Sequence, residues 1–231
     1  MRKPKVPKFD IQRYRAIVFD FDGTLVPCLD LRAMKERLLN FTVSETGIDR
    51  KIIEPLMMVE FIEHTSRWLH DARQSTNYFN AAHQMIRDIE LAAAAETTLF
   101  PGTKTLLNSL RAHELKIGIV TRNCEQAVRV MFPDVDDICS SIVARDQARY
   151  LKPDPRHLQQ CLDELNTPPS ECLMVGDGII DIEIAQALKM DSLAVSSGHN
   201  SITELQAARP TWLMSHVNNI NSYLMTDKAK H

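Results

Sequence analysis

Short apolar runs that stop at a polar signature recur along this chain. Ala16-Ile17-Val18-Phe19 runs into Asp20, Lys116-Ile117-Gly118-Ile119-Val120 into Thr121, and Cys172-Leu173-Met174-Val175 into Gly176-Asp177. Each has the length of a strand and is apolar almost throughout rather than alternating, the pattern of a strand buried on both faces. Residues 141–144 and 192–195 are weaker candidates of the same kind. Between these runs the apolar spacing becomes helical. Leu106, Leu107 and Leu110 mark one helix over Thr103–Ala112. Asp154-Pro155 reads as an N-cap with proline at the first helical position, opening a helix toward Leu165. Residues 179–190 give another, and Ser201-Ile202-Thr203-Glu204 fits a capping box for one more.

The stretch from about residue 29 to 98 is different. It has almost no glycine and no alternating strand, and it carries long helical patterns over 31–41, 52–69 and 78–95. Phe100-Pro101-Gly102 then breaks the chain. Strand alternating with helix, with apolar strands, predicts a mainly parallel sheet covered on both faces. The expected architecture is α/β: a Rossmann-like three-layer core from residues 1–27 and 99–231, with an all-helical cap domain over 28–98 inserted after the first strand. The alternative is a set of extra helices packed flat on the same core.

Composition narrows the class without naming the chemistry. At 231 residues, 44% hydrophobic and 25% charged, this is the profile of an ordinary globular chain. A formal net charge of -3 gives no reason to expect nucleic acid or an anionic membrane as partner. The basic cluster Arg2, Lys3, Lys5, Lys8, Arg13 and Arg15 reads as a solvated terminus rather than a binding arm. No apolar run is long enough to span a bilayer, and the N-terminus lacks a secretory hydrophobic segment. The five cysteines (Cys28, Cys124, Cys139, Cys161 and Cys172) are odd in number and have no CxxC spacing. That argues against a disulfide framework or a zinc site and for reduced thiols in a cytoplasmic protein, with Cys28 and Cys124 as small packing groups rather than redox centres.

The polar signatures carry the chemistry. In an open parallel sheet, ligands sit beyond the carboxyl ends of the strands, where these signatures fall. Asp20 is placed to attack a phosphoryl group, and Asp22 to protonate the leaving oxygen and later activate water. Asp177 is a candidate metal ligand. Asp181, one helical turn on, is a supporting acid or a helix cap. Oxygen-only ligation favours Mg²⁺ over zinc. Lys152 supplies the positive charge that such a group of acids needs. Thr121 and the amides after it suit the non-transferring phosphate oxygens. Arg122 grips a second anionic group or makes a surface ion pair, and Asn123 orients the loop or caps the helix that follows.

These residues resemble the haloacid dehalogenase superfamily of phosphohydrolases. Asp20-Phe21-Asp22-Gly23-Thr24, Thr121, Lys152 and Gly176-Asp177-Gly178-Ile179-Ile180-Asp181 stand in the family's order, and the likeness runs from about Ile17 to Val195. The resemblance implies Asp20 as nucleophile, Asp22 as general acid/base, and Thr121 and Lys152 as phosphate binders, with further phosphate contacts at Phe21, Gly23 and Arg122. It also implies Mg²⁺ held by Asp20, Asp177 and the backbone carbonyl of Asp22. Family members that remove halide lack an acid two positions after the nucleophile, so Asp22 indicates phosphatase chemistry. The helical insert looks like the mobile cap of phosphoglycolate-phosphatase-like members. Two features depart from those members: Leu25-Val26-Pro27-Cys28 stands where they place an Asp-Ser pair, and the insert has no glycine-containing specificity loop.

The expected activity is Mg²⁺-dependent hydrolysis of a small phosphorylated metabolite through an aspartyl-phosphate. The alternatives are a phosphomutase of the same superfamily and a phosphate-binding regulatory protein with little turnover. Within the insert, His64, Arg67, Trp68, His70 and Arg73 form a basic cluster. It reads as a solvated helix face with Trp68 packed inward, and alternatively as a contact for the far end of an anionic substrate.

Overall fold

The computed structural model describes residues 9–224. Six parallel strands form one sheet: β1 (Ala16–Phe19), β2 (Lys116–Val120), β3 (Ser141–Val143), β4 (Cys172–Gly176), β5 (Asp191–Val195) and β6 (Trp212–Met214). Their spatial order is β3-β2-β1-β4-β5-β6, the doubly wound arrangement of dinucleotide-binding folds. All four residues of β1 are fully buried, because both edges are paired and both faces are covered. The expected α/β core is present. β6 was not anticipated: it is a three-residue run at the sheet edge, too short to stand out from Pro210-Thr211 before it.

The chain divides into two compact units, one taking the chain up to Cys28 and from Ala94 onward, the other Leu29–Ala93. The second is built from α1 (Leu31–Thr46), α2 (Arg50–Ile53), α3 (Met58–Trp68) and most of α4 (Ala72–Ala94). It has its own core, in which Leu38, Phe61, Ile62, Tyr78 and Ile86 are buried together. The tyrosine hydroxyl shares a 2.9 Å hydrogen bond with Thr42 Oγ1. The continuous helix expected over 52–69 is broken. Pro55 has no amide with which to continue the helix, so α2 ends at Ile53, with Glu54 still helical and donating to the Arg50 carbonyl, and α3 begins at Met58. Trp68 does not pack inward; it is 48% exposed. The buried face of α3 is Met58, Phe61, Ile62 and Thr65, and Leu69 extends it, leaving the indole to one side. Arg67 is an exposed partner of Glu63 at 3.0 Å, as a solvated face requires.

In the sheet-containing unit α5 (Thr103–Ala112) packs on β2. Between β2 and β3 lie α6 (Glu125–Met131) and the single turn α7 (Val135–Ile138). On the other side of the sheet from Ile17 and Phe19, α8 (Arg156–Leu165) and α9 (Ile179–Ala187) bury Leu158, Leu162, Ile184 and Ala185 against Val18 and Met174. α8 starts one residue later than predicted. Pro155 itself takes the cap position, and Asp154 accepts the Arg156 amide at 2.9 Å. α9 stops three residues early, as Lys189 turns left-handed and Leu188 and Met190 donate back to Ala185. α10 (Ile202–Ala207) has the expected capping box, Ser201 with Glu204. Of the N-terminal basic cluster, Arg2, Lys3, Lys5 and Lys8 lie outside the described residues. Arg15 pairs with Glu171 at 3.2 Å on the surface.

Candidate active site

Strand β1 is hydrogen-bonded to β2 on one side and β4 on the other, so the segments leaving all three emerge together. Asp20 is still held by the ladder, its amide donating to the Val175 carbonyl at 2.8 Å. Thr121 is held likewise by Val143 at 3.2 Å. The chain after Asp20 is a tight loop in which the Phe21 carbonyl accepts the amides of Thr24, Leu25 and Val26. Gly23 turns this loop at φ +85°, where a side chain is strained. A Cβ there would also lie 2.6 Å from both Asp177 Oδ2 and Cys28 Sγ. Phe21 is wholly buried, so its ring cannot meet a phosphate.

Four acids converge, and each has a distinct set of partners. Asp20 Oδ1 accepts Lys152 Nζ at 2.7 Å, and the same ammonium donates to Asp181 Oδ1 at 2.7 Å. All three side chains are buried. Burial by itself would lower the Lys152 ammonium, but the charges of Asp181 and Asp20 and the hydrogen bonds to them outweigh it. The net effect raises the group above its ordinary range and keeps it charged. Asp181 Oδ2 accepts the Gly178 amide at 3.0 Å. Asp181 therefore caps α9 and seats Lys152 at once, combining two readings that the sequence leaves as alternatives.

Thr24, to which the sequence analysis gave no separate role, joins the ends of β1 and β4. Its hydroxyl lies 3.2 Å from Asp20 Oδ2 and 3.3 Å from Asp177 Oδ1, and it accepts the Asp177 amide at 3.1 Å. One hydroxyl proton cannot serve both carboxylates. Asp177 Oδ2 accepts the His199 amide at 2.9 Å. Burial first, then the charges of Asp20 and Asp181, push the Asp177 carboxyl above the usual carboxylate range.

Carboxylate oxygens of Asp20, Asp177 and Asp181 lie within 4.8 Å of one another. Like charges at that distance repel by about 3 kcal/mol per pair at an effective dielectric near 20. One ammonium against three buried acids leaves an excess of negative charge and an all-oxygen donor set, which fits a hard divalent cation such as Mg²⁺. Both Asp181 oxygens accept a hydrogen bond of their own, whereas Asp20 Oδ2 and Asp177 Oδ1 share the single Thr24 proton, so the pair Asp20 and Asp177 has an oxygen left over to offer a cation.

Asp22 faces another way. Asn123 Nδ2 donates to its two carboxylate oxygens at 3.0 and 3.2 Å, and Thr121 Oγ1 lies 3.4 Å from Oδ2. Asn123 Oδ1 in turn accepts the Cys124 amide at 2.9 Å, and Thr121 Oγ1 accepts the Asn123 amide at 3.0 Å. Asn123 thus orients Asp22; it does not cap α6, whose cap position is Cys124. Arg122 enters the network through its carbonyl, which accepts Arg145 Nη1 at 2.9 Å.

The Lys152 loop has a support that the sequence reading passed over. His157 Nδ1 accepts the Lys152 amide at 3.1 Å, which makes Nε2 the donor to the Val143 carbonyl at 3.1 Å. The Lys152–Pro153 peptide is cis. Burial first, then the Lys152 charge, push the His157 imidazole down to about 4, so it stays neutral. A lone histidine in a helix gives no sign of this in sequence. Cys28 and Cys124 are free thiols. Burial first, then Asp177, Asp22 and Asp20, push Cys28 up to about 12, against a spontaneous redox thiolate.

Residues 17–195 match the family described as haloacid dehalogenase-like hydrolase. A haloacid dehalogenase-like hydrolase domain-containing protein of Arabidopsis thaliana is 31% identical over 73% of this chain, and the chain spans 65% of that protein's length. A phosphoglycolate phosphatase of Psychrobacter arcticus is 27% identical over 90% of this chain and 95% of its own. The fold matches the crystal structure of a hydrolase from Pseudomonas syringae with a TM-score of 0.68, at 23% identity, covering 91% of this chain and 97% of that one.

Proposed function

This chain belongs to the haloacid dehalogenase-like hydrolases, and from that premise we propose that it is a Mg²⁺-dependent phosphatase that hydrolyses a small phosphorylated metabolite through an aspartyl-phosphate on Asp20. The observation that carries the reading is the buried pair of Asp20 and Asp177 beside the Lys152 ammonium, on the loops of adjacent strands.

Asp20 attacks phosphorus, and Lys152, fixed by Asp181, neutralises the charge gathered around the phosphoryl oxygens. Asp22, oriented by Asn123, gives a proton to the leaving oxygen. It then takes a proton from the water that cleaves the phosphorus–oxygen bond to Asp20, which regenerates the carboxylate. Thr121 and the amides of the Asp20 loop receive the non-transferring oxygens, with Phe21 contributing only backbone. Asp20, Asp177 and the Asp22 carbonyl would hold Mg²⁺, which when bound offsets the acids and polarises the phosphoryl oxygens.

The helical unit Leu29–Ala93 follows directly on the catalytic loop and has a core of its own, features that suit a cap. We place the enzyme in the cytoplasm on its free thiols. No described helix is long and apolar enough to cross a membrane. The test is hydrolysis of an aryl phosphate with and without Mg²⁺. Turnover that requires the metal and disappears in Asp20→Asn is expected. Turnover surviving in that variant would overturn the assignment.

A further inference from the structure

Beside the oxygen-lined group lies a second set of ligand atoms with different chemistry. Cys28, Asp177 and His199 each place one donor atom within 4.8 Å of the other two. The contacts around Gly23 and Asp177 explain the proximity. The place where a Gly23 Cβ would stand is 2.6 Å from both Cys28 Sγ and Asp177 Oδ2, so this glycine keeps the space between them open. The His199 amide is fixed on Asp177 Oδ2 at 2.9 Å, which pins the histidine next to the same carboxylate. A Cβ at Gly198 would lie 1.7 Å from Asp177 Oδ2, so this side of the acid also depends on a missing side chain. Cys28 is half-buried and His199 exposed, leaving an approach from solvent.

One sulfur, one imidazole nitrogen and one carboxylate oxygen make a donor set for a borderline cation, of the size that three-ligand zinc sites use with water in the fourth place. Cysteine spacing argued against a zinc site and could not reveal this one, since its Cys28 and His199 stand 171 positions apart. We propose that Cys28, Asp177 and His199 form an inhibitory zinc site that draws Asp177 away from the catalytic cation. The inhibitory consequence rests on the assignment of Asp177 above, whereas the binding itself does not. On coordination the Cys28 thiol loses its proton to solvent as the sulfur–metal bond forms, one proton per ion, with no change of oxidation state. Because Asp177 serves both groups, zinc and Mg²⁺ oppose one another, and each weakens the other's binding by the same factor.

The test separates binding from activity. Zn²⁺ is titrated into the intact chain against a chromophoric chelator, and Co²⁺ into a parallel sample to read thiolate-to-metal charge transfer in the near ultraviolet. One site is expected, with the charge-transfer band present in the wild type and in the inactive Asp20→Asn variant. Cys28→Ser should lose the band and weaken zinc binding by at least about 100-fold, more than loss of a supporting hydrogen bond costs a metal site. His199→Ala should weaken binding similarly. In Mg²⁺-supported turnover, Cys28→Ser should keep its basal rate and resist zinc. No thiolate band, or zinc inhibition undiminished in both Cys28→Ser and His199→Ala, would overturn the site. Wild-type binding without any effect on turnover would remove its inhibitory role.

Discussion

Asn123 donates from its side-chain amide to both carboxylate oxygens of Asp22, at 3.0 and 3.2 Å, across 101 residues of sequence. The contact joins the loop after β1 to the loop after β2 and fixes the direction of the proposed acid/base. Asn123→Ala leaves β2 and the buried Thr121 in place but lets Asp22 rotate. General acid–base catalysis is worth about 10² to 10⁴ in rate, and misorientation forfeits part of that. We expect kcat for an aryl phosphate to fall by about 10 to 100-fold with KM little changed. A kcat within twofold of wild type would separate Asn123 from the proton transfers.

Asp177 is penalised by burial and by the charges of Asp20 and Asp181. A cation between the acids relieves that penalty. At 100 times its dissociation constant, a ligand of the native state stabilises by about 2.7 kcal/mol, or about 5 to 10 °C in Tm for a chain of this size. Calorimetry should show that rise on adding Mg²⁺ and its reversal with a chelator. Above about pH 8, where the metal-free carboxyl is ionised, Asp177→Asn should abolish the rise while leaving the metal-free Tm equal or higher, since one buried like charge is gone. A lower metal-free Tm would contradict the repulsion.

His157 provides one pH-dependent part of stability, opposite in sign to that of Asp177 and Asp181, whose raised carboxyls bind protons in the native state first. Its folded imidazole titrates at about 4 against an ordinary 6.5, because burial and the Lys152 charge oppose protonation. Between those values the unfolded chain binds the proton and the native one does not, so stability falls as pH falls. The contribution is complete above about pH 6.5 and lost by about pH 4, and its size is about 3 kcal/mol. Urea unfolding at a series of pH values should show this slope, and His157→Gln should flatten it in that window. An unchanged slope in the variant would assign the acid sensitivity elsewhere.

Much of this was legible in the sequence, for physical reasons that also mark its limits. Strands buried on both faces advertise themselves as apolar runs, so five of the six were visible; Trp212–Met214, of which only Trp212 is buried, was not. Asp20, Asp177 and Lys152 could be grouped because parallel topology sends the ends of adjacent strands to one crevice. The helical pattern over 52–69 hid the break at Pro55, since periodicity continued across it. What the sequence withheld were contacts: Thr24, visible as the end of a motif but with no role of its own, sits between two acids, while His157 beneath Lys152 and His199 beside Cys28 belong to no motif. Trp68 was misplaced because a helix end offers two adjacent positions for the inner face, and Leu69 took it.

The covalent step on Asp20 is tested most directly by the stereochemical course at phosphorus. An aryl phosphate made chiral with oxygen isotopes, turned over in the presence of an acceptor alcohol, reports whether one displacement or two occurred. Two in-line displacements, first by Asp20 and then by the acceptor, predict retention of configuration. Inversion would mean direct attack by the acceptor, with no phosphorylated aspartate on the path.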